Sequence, residues 1–362
     1  MPLSAIDAIP LAFQHTKRQL IQPFRFWQWT RLAIVGLLAG EMGSGGSFNF
    51  PSNFNFPHQP GSSRHFLASG LPDIDPALLG GLITVLFIAG LVFFFLFLYI
   101  SSVMRFILFD SVIQKECHIR SGWSRRQSPG WKYFLWHLGL MLVTLFAMVV
   151  LVGIPAAFAF AMGWFNPPSA HVLPLVLGGI LLFFVLVACF ITLAVVGVLT
   201  KDFVVPQMAV EGIGAMEGWR RLWAMMQVEK SAYAIYIGMK IVLAIGAGII
   251  VGIVSLILGL IIAIPTIGFG IIAVITGKTA GLTWNAYTIT VAIVVGCVLF
   301  AIFMYLISLI SVPAIVFFPA YSIYFFAPRY RALSLVLYPP PPAPQMMEPQ
   351  PPPLPPAPAP AV

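Results

Sequence analysis

Charge is what this chain most lacks. Only 8% of its 362 residues are charged, against 60% hydrophobic, whereas about a quarter of a soluble domain is charged. So little ionic surface cannot keep a 39.5 kDa globule in solution. A soluble enzyme and a nucleic-acid-binding domain are thereby excluded. Cysteine is scarce as well: Cys117, Cys189 and Cys297 offer no disulfide framework. Among the acidic residues only Glu41 touches a predicted span, at its outer end, and no Asp lies inside one. Intramembrane aspartyl chemistry thus lacks its two carboxylates. His-Glu-x-x-His, Gly-x-Ser-x-Gly and a phosphate-cradling glycine loop are also missing. No catalytic residue, cofactor or metal is expected, and the chain reads as a non-enzyme.

What the chain has is long apolar runs. A helix needs about 20 apolar residues to cross about 30 Å of hydrocarbon. Residues 77–104, 134–162, 173–199, 233–264 and 287–311 meet that length, and 27–43 is a shorter candidate carrying Arg31. The expectation is an all-α, polytopic membrane helical bundle: six transmembrane helices as three hairpins, each preceded by a cytoplasmic amphipathic helix. Segments before the first, third and fifth spans, with Arg31 at the first span's end and the C-terminal segment, hold 16 Lys and Arg, against 2 (Arg64 and Lys278) on the opposite side. That bias puts both termini in the cytoplasm, in the cell (inner or plasma) membrane. It also accounts for the net charge of +8 without nucleic acid. Residues 267–276 are too short to cross, at about 15 Å, so 265–286 reads as an interfacial or re-entrant piece. Residues 1–333 form the membrane domain, and 334–362 form a Pro/Ala-rich disordered tail in the cytoplasm.

The segments between hairpins suggest helices lying in the interface. Ser4 and Asp7 have capping-box spacing, opening a helix with Ile6, Ile9, Phe13 and Leu20 on one side and Asp7, Gln14 and Arg18 on the other. Further on, Met208, Ala215, Trp219, Leu222, Trp223 and Met226 share a helical face opposite Glu217, Arg220 and Arg221. Gly122-Trp-Ser-Arg-Arg126 and Gly218-Trp-Arg-Arg221 repeat one pattern ahead of two spans. Trp123, Arg125, Arg126, Trp219, Arg220, Arg221 and Trp223 are therefore the candidates for lipid headgroups and the interface, and the expected partner is anionic lipid on the cytoplasmic face. Asp110, Gln114 and His118 form a polar stripe read as a solvated face. Lys240 is the intramembrane polar candidate: either its stem snorkels to the headgroups, the favoured reading, or it marks a transport path. Gly248 and Gly252 permit close helix packing, within the bundle or between copies.

Asp7-Ala-Ile-Pro-Leu-Ala-Phe with Pro23-Phe-Arg, the Trp-rich start of the first span, Val205-Pro-Gln-Met with Ala215-Met-Glu-Gly-Trp, and Phe317-Phe-Pro-Ala-Tyr321 form a further pattern. It resembles uncharacterised bacterial multi-pass proteins similar to the membrane domain found beside some glycerophosphoryl diester phosphodiesterases. The resemblance implies a membrane domain alone, since the catalytic barrel is absent and no family catalytic residue maps here. The expected function is non-catalytic organisation of membrane, lipid or partner proteins; the alternative is a small-solute or lipid transporter.

Overall fold

The computed structural model describes residues 3–41, 76–164, 171–279, 281 and 286–339. Among them the chain is helical throughout, without strands. Its helices are α1 (Ala8–Leu20), α2 (Phe26–Leu38), α3 (Pro76–Gln114), α4 (Ile119–Ala161) and α5 (Val172–Leu199), then α6 (Val205–Glu211), α7 (Ala215–Val228), α8 (Lys230–Thr279), α9 (Ala286–Phe326) and α10 (Arg331–Leu337). A π-helical turn, Thr200–Val204, joins α5 to α6.

Among the described residues, five helices are long and apolar enough to cross a membrane: Ile83–Gln114, Ile119–Ala161, Val172–Glu211, Lys230–Gly277 and Tyr287–Arg329. This is a multi-pass membrane protein built as an all-α bundle. Most of each apolar run faces outward, as a surface solvated by lipid must. The packed core lies instead at the other end of the same helices, around Val103–Val112, Leu199–Ala209, Tyr233–Tyr236 and Val312–Ala327. There α1, α2, α6, α7 and α10 close around them to form a base.

Aromatic packing fills this base. Tyr236 stacks on Tyr321 at 5.1 Å and on Phe325 at 4.5 Å, and Phe203 meets Phe326 at 5.1 Å. Fully burying each such ring is worth roughly 1.5–3 kcal/mol. Close approach needs Gly130: a Cβ there would sit 2.6 Å from Val103 Cγ2 and 3.2 Å from its backbone. This is where α3 and α4 touch.

The structure departs from the sequence expectations in several places. The candidate span at 27–43 contains α2, 13 residues and so only about 20 Å long. Both its ends meet the base: Arg31 donates to the Cys117 carbonyl at 3.3 Å, and the Ala39 carbonyl accepts from Arg105 at 3.0 Å. It packs beside α3. Over the described part of the expected interfacial or re-entrant piece at 265–286, α8 runs on through Pro265 to Thr279; residues 280 and 282–285 lie outside the described residues. A proline is tolerated inside membrane helices, where neighbouring groups satisfy the freed backbone carbonyl. Order reaches past 333, since α10 extends to Leu337 and buries Leu333. The rest of the expected tail, 340–362, lies outside the described residues, as do residues 42–75.

α1 is capped as the spacing predicts: the Asp7 amide donates to Ser4 Oγ at 3.2 Å. Its buried face is rotated from the expected one, however. Ala8, Ala12, His15, Thr16, Gln19 and Leu20 pack inward, while Ile6 and Phe13 are exposed along with Asp7, Gln14 and Arg18. Small alanines let the helix approach closely, and carbonyls at Ser111 and Val112 receive Gln19 and His15 at 2.9 and 2.8 Å. Met208 likewise lies off the face predicted for 208–226. Gly212, at φ +69°, takes the left-handed conformation that ends α6 and turns the chain before α7.

Candidate functional site: a buried layer of charge

Where the outward-facing runs give way to the base, five charged side chains meet: Glu41, Arg105, Lys201, Asp202 and Lys240. The π-helical turn brings two of them in together. Consecutive residues of an α-helix point about 100° apart, and a π turn, with more residues per turn, brings them closer; Lys201 and Asp202 both face inward, with side chains 14% and 4% exposed. Single π-type turns are frequent at functional sites.

Each of the two takes a partner from another segment. Lys201 donates to the Glu41 carboxylate just beyond α2, and Lys240 of α8 donates to Asp202. Tyr236, one turn before Lys240, gives its hydroxyl to the same Asp202 oxygen at 2.9 Å. Arg105 completes the layer, bonding the Tyr133 hydroxyl and the Ala39 carbonyl. Burying this much charge is tolerable only because nearly every group is paired.

A cavity of about 30 Å³ lies among Glu41, Arg105, Lys201, Asp202, Pro319 and Ser322. Glu41 Oε1 and Arg105 Nε are buried without a protein partner. A water needs roughly 10–15 Å³, so the cavity has room for one. The arrangement holds α2, α3, α5 and α8 together by charge. It presents no nucleophile with an adjacent base, and the described residues contain no cluster of three potential metal ligands.

Lys240 is thus held by Asp202 and does not snorkel. The sequence hides its partner because Asp202 sits at the end of an apolar run, where a carboxylate reads as cytoplasmic. The paired Lys201-Asp202, one acid and one base at a helix end, was the available signal. Glu41 is displaced from the expected outer end for the same reason: it bonds Lys201.

The interfacial candidates divide into two groups. Arg126 turns inward, with Nε and Nη2 on the two Asp110 oxygens at 2.7 and 2.6 Å and Nη1 on the Ala209 carbonyl at 2.6 Å. Arg125 reaches Asp110 at 3.1 Å, so Asp110 belongs to a buried ion pair and not to a solvated stripe. Trp219 donates to Thr200 Oγ1 at 3.1 Å, and Trp123 packs edge-on against Tyr99. Outward lie Trp223, 58% exposed, and Arg220, whose side chain is 80% exposed. Arg221 bonds Glu211 and Glu217. Its bond, with that of Arg220, holds the Glu217 carboxyl below its usual range. Gly252 has open space around it, whereas a Cβ at Gly259 would lie 3.6 Å from the Phe303 ring. Gly248 lies one turn before Gly252 on the same face of α8 and is half-buried.

Neither the curated proteins nor the solved structures contain a match to this chain. A family description does match residues 3–336, nearly the whole chain. The protein belongs to the family of unknown function DUF7544.

Proposed function

We propose that this protein is a non-catalytic organiser of the cytoplasmic leaflet of the cell membrane, with both termini cytoplasmic and anionic lipid as its partner. One observation carries the reading. The base exposes Phe13, Phe24, Phe26, Trp27 and Trp223, with Arg25 and Arg220 among them also exposed. Bulky rings beside exposed cations are what an interface helix offers to acyl chains and headgroups. The resemblance to a membrane domain without its catalytic barrel agrees with this role. Transport is the weaker reading, because a cavity of about 30 Å³ is far smaller than a solute.

The test is the lipid retained by the full chain when a polymer cuts it from the membrane with its surrounding bilayer. The anionic fraction should exceed that of the whole membrane and fall in Arg25→Gln/Arg220→Gln. Equal fractions would overturn the reading.

A further inference from the structure

We propose that the groove between α7 and α8 is a site for a single anionic glycerophospholipid. The groove, about 240 Å³, is lined by Trp223, Met226, Gln227, Lys230, Tyr233, Ala234 and Ile237. This deepens the reading of α7 as an interface helix and rests on it.

The lining separates by chemistry. Trp223, Met226, Ala234 and Ile237 make an apolar slot at the point where α8 leaves the base and its apolar run begins. Lys230, the first residue of α8, is exposed and lines the groove. Glu229, its neighbour in the chain, is already neutralised by Arg329 at 2.9 Å, so the cation can face an incoming anion. Charge complementarity therefore selects an acidic headgroup.

Tyr233 gives the independent observation. It is 1% exposed, it lines the groove, and its hydroxyl has no hydrogen-bond partner. A buried hydroxyl left unpaired costs about 1–3 kcal/mol, which an acceptor delivered by a ligand would recover. A phosphate or ester oxygen is such an acceptor. One molecule meets all three demands: an acyl chain in the slot, a phosphate on Lys230 and Gln227, and an oxygen accepting from Tyr233. The groove takes the glycerophosphate region and the first methylenes; the rest of the chain follows α8 into the bilayer.

The full chain in neutral detergent provides the test, by thermal unfolding with added phosphatidylglycerol, phosphatidylcholine or inorganic phosphate. Only phosphatidylglycerol should raise the transition. In Lys230→Gln the lipid concentration giving half the shift should rise about tenfold, as loss of a charged hydrogen bond predicts. Tyr233→Phe should weaken the shift while leaving the lipid-free transition unchanged or higher, because it deletes an unpaired group. Ala234→Trp should fill the slot and abolish the shift. Arg220→Gln should keep it, so that a failure of the general surface reading is told apart from a failure of this site. An undiminished shift in both Lys230→Gln and Tyr233→Phe would overturn the proposal. So would an equal shift with inorganic phosphate, or one that needs the tail beyond Pro339 removed.

Discussion

Lys240 and Tyr236, one turn apart on α8, converge on a single oxygen of Asp202. The two donors and the carboxylate lie in a layer where water is scarce, so removing one member strands the others. Lys240→Met leaves the Asp202 charge uncompensated and should lower stability by about 3–5 kcal/mol, the cost of breaking a buried pair from one side. The double variant Lys240→Met/Asp202→Asn should recover most of that loss. Thermal unfolding of the purified protein measures both. A double variant as unstable as the single would show that the pair is not the unit.

His15 makes the docking of α1 sensitive to acid. A carbonyl accepts only, so Nε2–H must donate to Val112, leaving Nδ1 to accept the Tyr324 hydroxyl at 3.1 Å. Burial, the largest cause, lowers the imidazole from its ordinary 6.5, and the Val112 carbonyl opposes this. The neutral ring is the form the fold prefers. Its contribution is present above pH 6.5 and is lost as pH falls through the lowered folded value. Hydrogen exchange of α1 should rise below pH 6.5 in the native chain, and His15→Gln should flatten that response. An unchanged pH profile in the variant would count against it.

Gly130→Ala should cost about 1–3 kcal/mol through overpacking, because the new methyl meets Val103 side chain and backbone together. Gly252→Ala, in open space, should cost nothing measurable in the monomer. If Gly252→Ala alone changed the oligomeric state on sizing with light scattering, the small-residue face would serve contacts between copies.

Truncation separates the contribution of α10 from that of the tail. Ending the chain after Pro339 should leave the unfolding transition in place. Ending it after Arg329 removes buried Leu333 and the Tyr330 hydroxyl bonded to Glu211, and should lower it. Equal transitions would show that α10 does not dock.

Topology is open to single-cysteine labelling in a chain lacking Cys117, Cys189 and Cys297. Positions 125 and 220 should resist an impermeant reagent in intact cells, whereas 278 should react. Labelling at 220 from outside would reverse the orientation.

The membrane class and five of its helices were legible in the chain alone, since length and apolar content meet a demand set by bilayer thickness and by nothing else in the protein. The Ser4–Asp7 cap was legible for the same reason: its partners lie within one turn. Tertiary structure decided the rest. How α2 packs depends on what lies beside Arg31 and Ala39: the Cys117 carbonyl between α3 and α4, and Arg105 of α3. Which face of α1 is buried depends on carbonyls at Ser111 and Val112, not on the larger side chains of α1 itself. Arg126 and Arg221 are each the second arginine of a sequence repeat. Yet Arg126 is drawn inward onto Asp110, whereas Arg221 meets Glu211 and Glu217 and stays at the surface, because only the first has a buried carboxylate across from it. A charge shows its sign in the sequence. Its partner is known only when distant segments have packed, and for Lys201, Asp202 and Lys240 the partner decides whether a cation seeks the headgroups or holds the bundle together.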